Sequence, residues 1–368
     1  MATDLLRRRL IATLSGAGGV AGVPLLARAV APGDARIDAR LLTCWSDTPD
    51  RPSAFHAGLL GAPARALALP ARGHDIAWHP ARDGSALVVA RRPGTFLVRW
   101  HVATGREIAR FEADDEFRFE GHLAFRPDGR VLYATETDLI TGDGRIGVLD
   151  ALSLERLATW PCGGIGPHAV EWLADGRLAV AVGGILTLPE TGRVKRNLGD
   201  MDPSLSFLDG TSGRLVSQHR PADPFMSVRH IAQTADGRIA VSMQNEGQVA
   251  RPLFALLRGK QLVYGEADPG LLERCGRYAG DIVSVGEYFA VSCTMAGVTA
   301  LWDANGRAGA LFVTNRVCAT TSHRARLVVT GDGGDVWEID PEVGAAGGSA
   351  IWHSRLPLAL DNHASLLI

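Results

Sequence analysis

Three catalytic signatures are missing from this 368-residue chain: it has no Gly-x-Ser-x-Gly elbow, no His-Glu-x-x-His motif and no glycine loop opening a helical pattern. Their absence removes the commonest serine-hydrolase, zinc-protease and phosphate-cradle readings. Cysteine is scarce. Cys44, Cys162, Cys275, Cys293 and Cys318 show no paired metal-type spacing, and their odd number leaves at least one thiol unbridged. An oxidising compartment permits a disulfide, but nothing in the spacing specifies one. Beyond the N-terminal region no segment is apolar and long enough to span a membrane. An excess of positive charge is also lacking, the formal charge being −2, which argues against nucleic acid as a partner.

What is abundant is glycine, with 43 residues scattered among short apolar runs, the pattern of many tight turns and hence of an all-β chain. Apolar residues at 46% and charged residues at 21% supply a core and give no sign of extensive disorder. At the N-terminus, Arg7-Arg8-Arg9 precedes an uncharged, weakly hydrophobic stretch from Leu10 to Leu26, followed by Arg28 and a small-residue site. This reads as a twin-arginine export signal over residues 1–29, with residues 30–368 as the mature domain in the periplasm. Leu6 stands where such signals prefer Ser or Thr. Losing four arginines and one aspartate with this segment takes the formal charge from −2 to −5.

Laid against itself, the chain repeats one unit: a short apolar strand, an Asp-Gly turn, a strongly apolar strand, a loop and two further strands. The clearest copy runs from His122 through Pro127-Asp128-Gly129-Arg130 and Val131-Leu-Tyr-Ala to Trp160. The turn recurs at Asp83-Gly84, Asp175-Gly176 and Asp236-Gly237, and two later copies keep the strands without it, around Tyr288 to Asp303 and Arg326 to Asp340. Six copies lie between residues 74 and about 357. The tail Asn362–Ile368 is one strand without a partner, and residues 37 to 70 hold the strands that would complete it. A seven-bladed β-propeller closed by pairing the N- and C-terminal strands follows, because each small sheet must stack on its neighbours to bury both faces and closure removes exposed edges. The third copy carries an insertion, Gly183 to Pro203, that serves either as a binding loop or as a surface excursion.

Aligned on the start of the innermost strand, the copies place His74, His122, His168, His230 and the tail residue His363 at one position, with Asp281 and Cys318 in the two remaining blades. In a propeller these starts converge at one mouth of the central channel, and all seven are ligand-capable. The ring is expected to be too wide for five imidazoles on one ion, so His122, His168 and His230 are the candidate metal ligands, with iron, copper or zinc as candidate metals. The plainer reading is a wet channel mouth whose histidines hydrogen-bond water. Glu136, Asp138 and Asp143 form an acidic loop without calcium-loop spacing and read as a solvated turn.

Gly73-His74-Asp-Ile-Ala, Ala90-Arg-Arg-Pro-Gly-Thr-Phe96, Thr135-Glu-Thr-Asp138, Gly144-Arg-Ile-Gly-Val-Leu-Asp150 and Gly164-Ile-Gly-Pro-His168 carry a resemblance, continued by Gly183-Gly-Ile185, Met201-Asp-Pro-Ser-Leu205, Val228-Arg-His230 and Asp361-Asn-His363. In these the chain resembles the bacterial domain-of-unknown-function family "fifteen-thirteen", exported WD40-like propellers. The resemblance implies no activity. It does imply neighbourhood with imelysin-type, iron-regulated genes, and so a link to metal handling. Thr137 and Leu139 depart from the Asn and aromatic residue usual there.

The residues point to a non-enzymatic binding platform that presents the ring Asp281, His74, His122, His168, His230 and His363 to a metal, a small ligand or a periplasmic partner protein. The chain is expected to be a monomer with no membrane span after signal removal. The alternative is a propeller enzyme, either a metal- or quinone-dependent oxidoreductase or a lactonase-like hydrolase, for which an acid-base pair of shifted pKa or a bound metal would speak.

Overall fold

A computed structural model describes residues 25–26, 41–48, 52–188, 190, 192, 194–323, 325–345 and 352–366. Most of the expected export signal and its cleavage site lie outside these residues. Leu25–Leu26, inside that segment, forms a two-residue strand parallel to Leu311 and Phe312.

Seven antiparallel four-stranded sheets are arranged in a ring, a seven-bladed propeller. From blade one to blade six the innermost strands are Gly73–Trp78, Phe117–Phe125, Pro167–Trp172, Met226–Gln233, Asp281–Val285 and Val317–His323. The seventh blade has Ala359–Leu366 innermost and takes its other three strands, Leu41–Ser46, Phe55–Leu59 and Leu67–Leu69, from the N-terminal side. The expected closure is therefore the observed one. Register runs from Leu41 opposite Leu366 to Ser46 opposite Ala359.

The turns form for the reason the sequence suggested. Gly84, Gly129, Gly176 and Gly237 follow their aspartates at φ of +82°, +68°, +83° and +87°, a region that side-chain-bearing residues rarely adopt. The aspartate fixes the turn from its own side, Asp128 Oδ1 accepting the Arg130 N–H at 2.9 Å and Asp83 Oδ1 the Ser85 N–H at 2.9 Å. Second strands such as Ser85–Ala90 and Ile239–Asn245 are buried along their whole length, whereas the outermost strand Arg106–Glu112 is largely exposed. The difference follows from position: middle strands have a neighbouring blade on both faces, and outer ones face water. The apolar core accordingly lies in layers between blades, as where Leu87, Val89 and Leu97 of the first blade meet Phe117, Phe119 and Leu132 of the second.

The innermost strands break this regularity. In six of the seven blades their pairing with the adjacent strand slips, between Gly73 and Ile76, Phe119 and Leu123, Pro167 and Val170, Val228 and His230, Val317 and Thr320, and Leu360 and Ala364. Only Asp281–Val285 pairs without a shift. A bulge leaves backbone groups without ladder partners and re-aims side chains. Buried hydroxyls satisfy part of that deficit, Thr43 Oγ1 donating to the His363 carbonyl at 2.8 Å and Thr135 Oγ1 accepting from the His122 N–H at 3.3 Å.

Candidate metal and anion site on the propeller axis

Each bulge falls on the ring position, so the slip that disrupts pairing is what directs the histidines inward. His74, His122, His168, His230 and His363 meet on the axis, His122 lying with ring centroids 5.1, 4.4, 5.1 and 4.8 Å from those of the other four in that order. One imidazole contacts all the rest, yet the donor atoms gather in threes and not in a single set of five. Three triads have every donor atom within 4.8 Å of the other two: His74, His122 and His363; His122, His168 and His230; His230, Asp281 and His363. The second is the set chosen from sequence. Tetrahedral ligation at ~2.1 Å sets donors about 3.4 Å apart, so a modest contraction would bring a triad onto an ion. Cys318 joins no such group; its thiol lies against the carbonyls of Arg316 and Leu360.

Nor is the site an open mouth. Exposure of the five histidines runs from 3% at His122 to 8% at His168, and the cavity bounded by His74, His168, His230 and His363 with Arg91 and Arg92 is about 20 Å³, room for roughly one water or one ion.

Sequence reasoning named Asp281 but passed over two other carboxylates behind the ring, Asp75 and Asp361. Asp361 Oδ1 lies 3.0 Å from His74 Nδ1, and because an ionised carboxylate only accepts, that nitrogen carries the proton and leaves Nε2 with its lone pair. Arg72 bonds the other Asp361 oxygen. Asp75 lies 3.8 Å from His122 Nδ1, and Asp281 lies 3.7 Å from Nδ1 of both His230 and His363. The same two carboxylates accept bulge N–H groups of the next blade, Leu123 at 3.0 Å and Thr320 at 2.8 Å. The imidazoles thus turn Nδ1 toward carboxylates, and Nε2 of His122 and His363 is buried without any hydrogen-bond partner, as is Nδ1 of His168. Carboxylate-backed imidazoles with a free second nitrogen are the arrangement that metal ligation uses. The signal was adjacency: Asp75 follows His74, and Asp361 precedes His363 by two.

Electrostatics keeps most of the ring neutral. Burial takes His74 down to about 3 and holds His122, His168 and His230 well below the ordinary histidine value, with the neighbouring imidazoles and, at His168 and His230, the Arg229 guanidinium adding to it. His363 is the exception. Burial opposes its charge too, but Asp281, Asp75 and Asp361 outweigh that and raise it. Burial likewise works against the Asp361 carboxylate, yet His74 and Arg72 hold it below the usual range. Glu171 keeps contact with solvent but is enclosed by protein, and that enclosure, with Asp75 and Asp281, pushes it up to about 8. Glu171 thus joins Asp75 and Asp281 as a third acidic group near the ring.

Beside the cavity a pocket of about 260 Å³ is lined by Arg91, Arg92, Arg118 and Glu120 and walled in part by Thr187 and Leu188 of the third-blade insertion. The insertion is tied down by Asn197, which accepts from the Leu186 N–H at 2.7 Å and donates to the Gly184 carbonyl at 2.9 Å. Of the acidic loop, Glu136 is fully buried and Arg156 Nη2 donates to it at 2.8 Å, while Asp138 caps the N–H groups of Ile140 and Thr141. That loop is structural in this respect and belongs to no ligand cluster among the described residues. All five cysteines are buried and free.

A closed propeller with a buried, carboxylate-backed histidine cluster on its axis is the class of protein defined by these observations. The chain belongs to the family described as "Protein of unknown function (DUF1513)", whose model matches residues 67–367, as the motifs from Gly73 to His363 led us to expect. No curated protein matches it. Among solved structures it is similar to Raptor of Chaetomium thermophilum, at 12% identity and a TM-score of 0.57, over 78% of this chain and 25% of that one. It is also similar to hydrazine synthase of Kuenenia stuttgartiensis, at 18% identity and a TM-score of 0.48, over 68% and 70% of the two chains. The first likeness concerns fold alone, and the chain spans about a quarter of that protein's length. Among the described residues no helix is long and apolar enough to cross a membrane.

Proposed function

We propose that this protein is a metal-binding propeller of the bacterial periplasm, exported by the twin-arginine route, that holds a transition metal on its axis as a binding platform rather than as an enzyme. The observation that carries the reading is the set of buried, unpartnered imidazole nitrogens, those of His122, His168 and His363, among donor atoms within 4.8 Å. A buried polar atom without a partner costs ~1–3 kcal/mol, and five histidines gathered around such atoms call for something that binds them. Neutral imidazoles suit zinc, copper and iron, and the acidic groups nearby, Asp75, Asp281 and Glu171, favour a cation over an anion at the ring itself. Support for export is the arginine pair with its weakly hydrophobic stretch.

The pocket beside the cavity favours a second reading, a metal-dependent oxidoreductase whose substrate enters there. Elemental analysis of protein from its native host tests the first. Stoichiometric iron, copper or zinc is expected, lost when His122, His168 and His230 are all replaced by alanine while circular dichroism stays that of the parent. Metal-free protein that also fails to take up added metal would overturn it.

A further inference from the structure

Along the innermost strands the charge changes sign. Asp75 and Glu171 follow the ring histidines His74 and His168 along their strands, whereas Arg229 precedes His230, and Arg91 and Arg92 line the histidine cavity. Arg229 is 4% exposed and makes no salt bridge among the described residues; its Nε is buried without a hydrogen-bond partner. Its surroundings were shaped to admit it: a side chain at Gly183 would meet Arg229 Nη1 at 2.7 Å. The nearby carboxylates are committed to other cations, Glu120 lying 3.6 Å from Arg92 Nη1 while accepting from Thr137 Oγ1 at 2.7 Å, and Glu246 accepting from Lys195 at 2.5 Å. A buried guanidinium stays protonated and is costly without a counter-charge.

We propose that Arg92 and Arg91, which line the pocket, form an anion-binding subsite for a small organic carboxylate with the uncompensated charge of Arg229 buried nearby, the ligand's charged end meeting Arg92 and Arg91 and its body occupying the adjoining 260 Å³ pocket. The guanidinium fork matches a carboxylate in two hydrogen bonds. An organic body rather than a bare inorganic oxyanion fits because Pro93, Leu139 and Leu188 give the pocket an apolar side. Arg91 and Arg92 line both the pocket and the histidine cavity, so the ligand binds beside the ring. The subsite stands on the arginines and does not depend on the metal.

The test is calorimetric titration of metal-free protein, in a buffer without other multivalent anions, with succinate and separately with inorganic phosphate. Saturable succinate binding is expected, at least ten-fold weaker in Arg229→Met and weaker in Arg92→Gln, with Arg229→Lys retaining part of it. Arg229→Met is also expected to raise the Tm of the ligand-free protein, since it removes an uncompensated charge, and that gain shows that the variant folds. Phosphate binding as tight as succinate would overturn the organic class. Absence of binding by both anions, or succinate binding unchanged in Arg229→Met, would overturn the subsite. Because the protein is metal-free throughout, failure of the metal reading leaves this result unaffected.

Discussion

Within one blade the second strand and the innermost strand follow opposite rules. Ile239–Asn245 is buried throughout, pairs in unbroken register with Phe254–Arg258 and packs into the largest apolar cluster of the molecule. Met226–Gln233, beside it, slips register at Arg229 and buries that residue's guanidinium with its Nε unpartnered. The first arrangement is what closes a propeller; the second opposes stability in the absence of a ligand. The unpartnered imidazole nitrogens of His122, His168 and His363 mark the axis as the place where the fold gives up stability for binding.

The sharpest way to break this comparison is to truncate one residue from each region. Phe254, fully buried and stacked on Trp302 with centroids 4.9 Å apart, should cost about 3–5 kcal/mol as Phe254→Ala in urea unfolding. His122→Ala in metal-free protein should change stability by less than ~1 kcal/mol, because the imidazole gives up no hydrogen bond at Nε2. Equal losses would make the axis ordinary core.

Glu136→Gln comes next. It leaves Arg156 and Arg145 facing a neutral group and should destabilise by roughly 3 kcal/mol, the usual cost of breaking a buried pair. The contrast with His122 is then between a polar group that is satisfied internally and one that waits for a ligand.

Smaller in energy, Asp361→Asn should weaken metal binding ~10–100-fold in a chelator competition, since it releases the His74 ring from its carboxylate, and it should also lower the stability of the metal-free protein by loosening the half-exposed Arg72 pair. An unchanged affinity would remove His74 from the ligand set.

The pH dependence separates the regions without mutation. His74, His122, His168 and His230 have depressed folded values, so the unfolded chain binds more protons as pH falls below about 6.5. Each of the four then removes up to ~1.4 kcal/mol of stability per pH unit. Below that pH Glu171, Asp75 and Glu136, with raised values, act in the opposite sense, and His363 does so above it. The four imidazoles outnumber the three carboxylates, so stability should fall on acidification below pH 6.5, and it should decline gently as pH rises toward 8, where Glu171 ionises in the folded protein. Thermal melts of metal-free protein from pH 4 to 9 check this, and a flat acid limb would show that the imidazoles are already protonated when folded. The least effect is expected on the rim, where Glu107→Ala removes a pair with Arg110 on an exposed strand and should cost no more than ~0.5 kcal/mol.

Much of this was legible in the residues. Asp-Gly turns, strands of alternating or wholly apolar character, one unpaired strand in the tail and the left-over strands of residues 37 to 70 sufficed for seven blades and their closure, because those signals are local and a repeat states them many times. The alignment of His74, His122, His168, His230 and His363 was equally readable, since equivalent positions in a repeat occupy equivalent places. The bulges were not readable: a slip of one residue reverses the facing of a strand side chain, and no local pattern announces it. Asp75 and Asp361 were quoted only as parts of motifs, and Arg229 only as the residue before His230, because a partner across the axis is far away in sequence. The acidic loop at Glu136 read as a solvated turn, and the structure instead buries its first carboxylate between arginines.

The sequence by itself determined the strands, the turns, the count of blades and which side chain stands at the head of each innermost strand. Only the tertiary structure decided that five of those side chains touch and that carboxylates back them. Ring closure brings together residues as far apart in sequence as Thr43 and His363, separated by 320 positions, and the bulges then choose which way each one faces.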